Sequence, residues 1–155
     1  MAFIDIHSPG QKRGFTLIEL TVVLLIIVLG FSVIASNISS GNQSAQLKAV
    51  ARDLASALRY ARGQALISHK EVAVAINLAE NSYKVSNRDK IHYFSDEIDL
   101  TLVIAQDEFE DDETGHIRFY ADGSSSGGRI TLEWGNLTYF VDVNWLSGKI
   151  DISDE

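Results

Sequence analysis

Residues 13–35, RGFTLIELTVVLLIIVLGFSVIA, contain an apolar run that begins directly after a basic pair and is interrupted early by one carboxylate, Glu19. As an α-helix the run spans roughly 30 Å, which is the thickness of a bilayer core. Lys12 and Arg13 precede the run, and no further Lys or Arg occurs before Lys48. This charge asymmetry predicts one membrane span, with the N-terminus in the cytoplasm and the remainder on the other side.

Two features distinguish this run from an ordinary secretory signal, whose apolar core is shorter and is followed by a cleavage site of small residues. One is its length. The other is Glu19, because an acidic side chain inside a membrane costs up to about 3 kcal/mol, and less near the edge where Glu19 would lie. A carboxylate retained at that cost predicts a charged partner.

Gly14 followed by FTLIEL closely resembles the class III signal of type IV prepilins and of type II secretion pseudopilins. In that family a membrane peptidase cleaves after the glycine, and the same enzyme N-methylates the new terminus. The resemblance implies cleavage between Gly14 and Phe15, and pairing of Glu19 with the new ammonium group of an adjacent subunit. In a low-dielectric bundle these two charges neutralise each other and fix the polymer register. The alternative is a lone Glu19 at the headgroup boundary of a plain membrane anchor.

The composition bounds the remaining possibilities. The chain has 155 residues and a formal charge of −8. Without residues 1–14 its side chains comprise 11 basic and 20 acidic groups, a formal charge of −9. That charge argues against broad binding to a phosphate backbone. The lack of cysteine excludes a disulfide framework and a thiolate metal site.

A helical period returns between residue 45 and about residue 68. Its apolar stripe predicts packing against the following domain and comprises Leu47, Val50, Ala51, Leu54, Ala57, Leu58, Ala61 and Ala65. The other face carries Lys48, Arg52, Arg59 and Arg62 and is expected to be solvated. Between the two helical stretches, residues 36–44 (SNISSGNQS) have weak helix propensity and predict a kink or a melted turn.

Beyond residue 71 the apolar period changes to two, which is typical of β-strands. Residues 71–77 and 81–87 predict a hairpin, and further strands are predicted within residues 98–104, 116–121, 128–134, 137–146 and 149–153. Short strands with tight turns and no helix between them favour antiparallel sheets, two packed face to face, with the amphipathic helix against them. The predicted fold class is α+β. A long N-terminal helix, membrane-spanning in its first half and amphipathic in its second, precedes an antiparallel β domain.

A second resemblance lies near the C-terminus. FYADGSSSGGRITLEW (119–134) with VDVNWLSGKI (141–150) is similar to the pattern of the general secretion pathway protein H (GspH) family, minor pseudopilins of the type II secretion system. Ala121 departs from the proline typical of that family. The resemblance implies a pilin-like fold and a structural subunit of the periplasmic pseudopilus, near its tip, with no enzymatic activity and no cofactor. The alternative is a minor type IV pilin that serves pilus assembly, adhesion or DNA uptake.

The resemblance also implies a domain order and a set of partners. Residues 1–14 would be a cleaved prepilin leader, 15–38 the transmembrane assembly helix, 39–70 an amphipathic periplasmic helix and 71–155 a periplasmic β domain. Expected partners are other minor and major pseudopilins, the prepilin peptidase and methyltransferase, and the inner membrane, with the secretin and exported substrates as further candidates. The expected location is the bacterial inner membrane, in a single pass, with the C-terminal domain in the periplasm.

The segment Gly123–Gly127 (GSSSG) fits the nucleophile pattern G-x-S-x-G of serine hydrolases. That pattern needs a strand before the serine and a helix after it, whereas here the following residues continue as a strand. Nothing in the sequence places His92 or His116 as the catalytic base. We interpret the segment as a connecting turn, and a membrane-anchored hydrolase is not expected.

The segment DEFEDDE, residues 107–113, holds six carboxylates in seven residues. Calcium prefers such oxygen donors, so the weak calcium candidates are Asp107, Glu108, Glu110, Asp111 and Asp112. The segment lacks the glycine and the spacing of an EF-hand, and a solvated acidic loop or a patch that faces a partner is the favoured interpretation. His69, His92 and His116 lack the spacing of zinc ligands, so no metal is predicted.

The C-terminal tail argues against nucleic-acid binding. Some minor type IV pilins bind DNA through a basic tail, but residues 149–155 (KIDISDE) carry one lysine and three acidic side chains and would repel phosphate. A DNA-receptor role is therefore not expected.

Overall fold

The computed structural model describes residues 16–110 and 113–155, and within residues 30–41 it describes the backbone alone. In this part of the chain one long helix is followed by β-strands and a short 3-10 helix, Gln106–Glu108. The elements are α1 (Leu17–Ser68), β1 (Val72–Asn77), β2 (Ser82–Val85), β3 (Ile91–Tyr93), β4 (Asp99–Val103), β5 (Thr114–Phe119), β6 (Gly128–Trp134), β7 (Leu137–Val143) and β8 (Ile150–Asp154). The prediction of a helix followed by antiparallel strands is confirmed.

Contacts divide the chain into two units, residues 1–40 and 41–155. The border lies within α1, whose backbone is helical throughout residues 36–44. The melted turn predicted there is therefore wrong. Weak propensity costs less than about 1 kcal/mol per residue, and each residue added to an existing helix gains a further backbone hydrogen bond.

In the first unit, the described side chains of α1 are exposed. The large apolar ones among residues 17–29 range from 46% exposure for Ile27 to 82% for Leu17. No helix in the described part of the chain contains a window of 18 residues that is apolar enough to qualify as a membrane span. Phe15 and the side chains of residues 30–38, which belong to the predicted span, lie outside that part.

In the second unit, the apolar stripe of α1 is buried as predicted. The fully buried members are Leu47, Ala51, Leu54, Leu58, Ala61 and Ala65, while Val50 and Ala57 are partly buried. Ala55 is also fully buried. The face of the helix that packs is therefore wider than the sequence predicted.

The basic face of this helix is only partly a solvated one. Lys48, Arg52 and Arg59 are exposed, as predicted, and Arg62 is half-buried. Arg59 nevertheless donates a hydrogen bond through Nη2 to the carbonyl of Ile150 at 3.1 Å. Arg62 Nε similarly donates to the carbonyl of Gly123 at 3.2 Å. The two arginines connect α1 to the first residue of β8 and to the loop that precedes β6.

The strands form two four-stranded antiparallel sheets. Their orders are β3-β2-β1-β5 and β4-β6-β7-β8. The hairpin predicted from residues 71–87 is present as β1 and β2, with Val74 opposite Val85 and Asn77 opposite Ser82. β3 was not predicted, because a strand of three residues is too short to show a period of two.

Buried side chains of α1 and of both sheets form one hydrophobic cluster. The sheets approach each other at Gly115 of β5, where a Cβ atom would lie 2.5 Å from Leu102 Cδ2 and 2.6 Å from Ile104 Cδ1. A side chain at this position would force the ends of the Leu102 and Ile104 side chains to move, so a glycine allows the close packing.

Candidate functional site

Thr16 caps the first turn of α1. Its Oγ1 accepts a hydrogen bond from the backbone N–H of Glu19 at 3.3 Å, and its carbonyl accepts one from the N–H of Leu20 at 3.2 Å. Threonine at the N-cap with glutamate three residues later is the sequence pattern of a capping box. Glu19 also lies where the helix dipole favours a negative charge. Sequence reasoning missed this local role, although the pattern T-x-x-E signals it.

The side chain of Glu19 is exposed and is flanked along the helix by exposed apolar side chains. Among the described residues its carboxylate makes no ion pair. Gly14 and Phe15, the predicted processing residues, lie outside the described part. When such an apolar surface is covered by another molecule, a carboxylate within it requires a cation nearby.

The acidic segment 107–113 is divided between the interior and the surface. Glu108 is 7% exposed and accepts a hydrogen bond from Arg118 Nε at 2.7 Å. Arg118 Nη1 donates to Glu71 at 2.5 Å. The interpretation as a solvated loop is wrong for Glu108, because a carboxylate buried to this degree needs a charged partner. Arg118 is that partner, and it lies ten residues further along the chain.

The electrostatics around this arginine follow from its two carboxylates. Hydrogen bonds to Glu71 and then to Glu108 raise the pKa of Arg118 above its usual value. Burial is the largest cause that raises the pKa of Tyr120, and the negative charges of Glu108 and Glu71 raise it further. Both groups therefore keep their protons at neutral pH.

The remaining calcium candidates do not form a described metal site. Glu110 Oε2 lies 3.0 Å from His116 Nε2, and Asp107 is exposed. Asp111 and Asp112 lie outside the described residues. Within residues 16–110 and 113–155, no three His, Asp or Glu side chains are placed to hold a metal ion.

Ser125, the serine of the G-x-S-x-G pattern, connects two loops. Its hydroxyl donates to the carbonyl of Asn144 and accepts from the N–H of Gly127, both at 3.1 Å. Its own N–H donates to the carbonyl of Trp145 at 2.8 Å. The side chain is buried among these backbone groups, which is the arrangement of a connector.

The loop between β7 and β8 presents two apolar side chains. Asn144 Oδ1 accepts hydrogen bonds from the N–H groups of Leu146 and Ser147 at 3.1 and 3.0 Å. Trp145 and Leu146 are 65% and 67% exposed. The strand predicted over residues 137–146 therefore ends early, at Val143, because the Asn144 side chain stabilises a turn.

A groove of about 480 Å³ lies between α1 and the strands β2 and β3. The side chains that determine its chemistry are Asp53, Tyr60, Tyr83, Arg88, Lys90 and His92. The guanidinium carbon of Arg88 lies 3.7 Å from the centre of the Tyr60 ring. The Tyr83 and His92 rings stack at 4.9 Å with 7° between their planes. Sequence reasoning missed this groove, because its lining comes from three elements and β3 was not predicted.

Burial is the larger cause that raises the pKa of Tyr83 above its usual 10.0, and the negative charge of Asp53 raises it further. Its hydroxyl is therefore protonated at neutral pH, and the ring is an uncharged aromatic wall of the groove.

The sequence model of the family described as type II transport protein GspH matches residues 50–147, which is more than half of the chain. The chain belongs to the GspH family. The match includes the second part of α1 and the strands β1 to β7. The model of the prokaryotic N-terminal methylation motif matches residues 10–35 of this GspH-family chain.

A curated relative supports the same family. Type II secretion system protein H of Xanthomonas campestris pv. campestris is 27% identical over 142 residues, covering 90% of this chain and 82% of the relative. The two resemblances described from the sequence, to the prepilin-type signal and to GspH, are confirmed.

Solved structures share the fold at low identity. The type IV minor pilin FimU of Pseudomonas aeruginosa is 12% identical with a TM-score of 0.55, covering 72% of this chain and 90% of FimU. The minor pseudopilin EpsH from the type 2 secretion system of Vibrio cholerae is 10% identical with a TM-score of 0.55, covering 69% of this chain and 95% of EpsH. The predicted pilin-like α+β fold is confirmed.

Proposed function

We propose that this GspH-family protein is a minor pseudopilin, a structural subunit of the periplasmic pseudopilus of a type II secretion system that supports protein export across the outer membrane. The observation that carries the proposal is the presence on one chain of the GspH match over residues 50–147 and the methylation motif over residues 10–35. The fold alone does not favour secretion over a type IV pilus, because FimU and EpsH resemble the chain equally well.

The methylation motif supports a specific processing route. The prepilin peptidase cleaves after Gly14, and the same enzyme methylates Phe15. Residues 15–38 then anchor the protein in the inner membrane with its N-terminus in the cytoplasm. Residues 39–70 and the β domain of residues 71–155 lie in the periplasm.

Assembly in this proposal depends on Glu19. Its carboxylate lies within an exposed apolar surface, which packing against neighbouring subunits covers. The ammonium group of an adjacent subunit then supplies the cation that the buried carboxylate needs. The capping interaction with Thr16 holds the backbone of Glu19 in the first helical turn, so the carboxylate is presented near the end of the helix.

The partners in this proposal are other minor and major pseudopilins, with a position near the tip of the pseudopilus. The second unit faces the secretin or exported proteins. The protein serves as a scaffold, requires no cofactor and catalyses no reaction.

A Glu19→Gln variant tests the assembly role in the native host. Glutamine keeps the size of the side chain and removes its charge, so we expect the variant to be inserted and cleaved but to co-purify poorly with other pseudopilins and to lower secretion into the medium. Glu80→Gln is the matched control, because Glu80 is an exposed carboxylate of the second unit. Mass spectrometry of the N-terminus measures cleavage, and Gly14→Val should leave the leader attached.

Normal co-purification and secretion by Glu19→Gln would contradict the pairing. An intact Met1 terminus on the wild-type protein from its host would contradict the processing route and, with it, the pseudopilin function.

A further inference from the structure

The groove between α1, β2 and β3 contains two cations that lack an ionic partner. Among the described residues, Arg88 and Lys90 make no ion pair, whereas Arg118, Arg129 and Lys149 each do. Other basic side chains of the described residues also make no ion pair, so what distinguishes Arg88 and Lys90 is that both line one groove. Their hydrogen-bond donors are available to an acceptor from outside the chain.

Arg88 is already positioned for such an acceptor. Its guanidinium lies over the Tyr60 ring at 3.7 Å, an arrangement that attracts the cation to the face of the ring. The edges of a guanidinium stacked in this way still point their N–H groups outward, where a carboxylate can accept two of them. Binding therefore costs less side-chain entropy than at a free arginine.

The groove also offers apolar surface and a strand edge. The stacked rings of Tyr83 and His92 form one wall. β3 is the outermost strand of its sheet, so one of its edges has no strand partner among the described residues. An extended peptide can add to such an edge through backbone hydrogen bonds.

We propose that this groove binds an extended acidic segment of a partner protein, with a carboxylate at Arg88 and Lys90, an apolar side chain against the half-buried rings of Tyr60 and His92, and the backbone along β3. The inference goes beyond the proposed function and does not depend on it. A peptide fits better than a nucleic acid, because two cations cannot follow a phosphate backbone over several nucleotides. A nucleic acid also cannot use the free edge of a β-strand.

Asp53 limits where the carboxylates of the segment can lie. It lines the groove and makes no ion pair among the described residues. An acidic segment therefore places its charge toward Arg88 and Lys90, because a like charge beside Asp53 is repelled.

The test uses the full-length chain in dodecyl maltoside and two fluorescein-labelled peptides. The acidic probe is KIDISDE, which combines carboxylates with two isoleucines, and the neutral probe is KINISNQ. Fluorescence anisotropy should show saturable binding of the acidic probe alone. Arg88→Gln with Lys90→Gln should weaken its binding about tenfold, and Asp53→Asn should tighten it.

The matched control is Arg52→Gln with Lys70→Gln, which removes the same charge from exposed positions outside the groove and should leave binding within about twofold. Equal losses for the two double variants, or equal binding of the neutral probe, would overturn the proposal. The absence of binding by the acidic probe would also overturn it. So would a twelve-nucleotide oligothymidylate whose binding requires Arg88 and Lys90, if the binding of the peptide does not require them. Tyr60→Leu keeps both charges and should also weaken binding of the acidic peptide. An unchanged affinity of this variant would refute the stacking arrangement.

Discussion

The two units of the chain place their apolar side chains in opposite ways. Leu24 of the first unit is 54% exposed, whereas Leu54 of the second is fully buried, although both belong to α1. Around Leu54 the helix has one apolar stripe, and the sheets of its own unit cover that stripe. Residues 17–29 are apolar at nearly every position, so no polar face remains for solvent. A helix that is hydrophobic on all sides is buried by its surroundings. The second unit thus supplies its own core, whereas the described apolar side chains of the first unit stay exposed.

A pair of leucine substitutions tests this difference most strongly. Leu54→Ala should lower the free energy of unfolding of the second unit by about 2–5 kcal/mol, because it removes buried methyl groups and leaves a cavity. Leu24→Ala makes the same chemical change in the same helix and should alter that free energy by less than about 0.5 kcal/mol. Urea unfolding of the full-length protein in detergent, followed by the fluorescence of Trp134 and Trp145, measures both. Equal effects would show that the two units unfold as one.

The buried charge of the second unit is the next comparison. Arg118→Met leaves Glu108 without its cation and should cost about 1–3 kcal/mol in the free energy of unfolding, a range that allows for solvent screening at the partly exposed Arg118. Adding Glu108→Gln should restore part of the loss, because the buried charge is then gone. The control is Arg129→Met, which breaks an exposed pair with Asp142 and should cost clearly less. If the two arginine variants lose the same stability in urea, the burial of Glu108 has no energetic consequence.

The parts of the fold that the sequence predicted are those with a local signal. The stripe from Leu47 to Ala65 repeats at the helical period, and apolar and polar residues alternate in the two strands of the first hairpin. Each pattern was therefore visible within a short window. The partners of Arg59 and of Glu108 were not visible, because they lie 91 and 10 residues away and come from other elements. Composition predicted a solvated acidic loop, and the packing of β5 against that loop overrode it for Glu108.

The candidate sites show the same division. Glu19 was recognised because its surroundings form a contiguous motif, and the family match to residues 10–35 covers that motif. The groove of Arg88 and Tyr60 has no such signal. Its residues are separated by 28 positions, and only the approach of α1 to β2 and β3 brings them within 3.7 Å.

The smallest expected effect concerns Asp122, an exposed carboxylate of the second unit, in contrast to Glu19 of the first. Asp122 Oδ1 accepts hydrogen bonds from the hydroxyl of Ser124 at 2.6 Å and from its N–H at 2.9 Å, and these hold the pKa of Asp122 below its usual 3.8. A lowered carboxyl pKa stabilises the folded state above the unfolded pKa, and that contribution is lost as the pH falls through the folded value, so the window lies below about pH 4. A ¹³C NMR titration of the full-length protein in detergent should give Asp122 a low midpoint that Ser124→Ala raises toward 3.8. Ser153→Ala, an exposed serine of β8, should leave it in place. A midpoint that Ser124→Ala does not move would mean that the turn at residues 122–124 does not hold this carboxylate in solution.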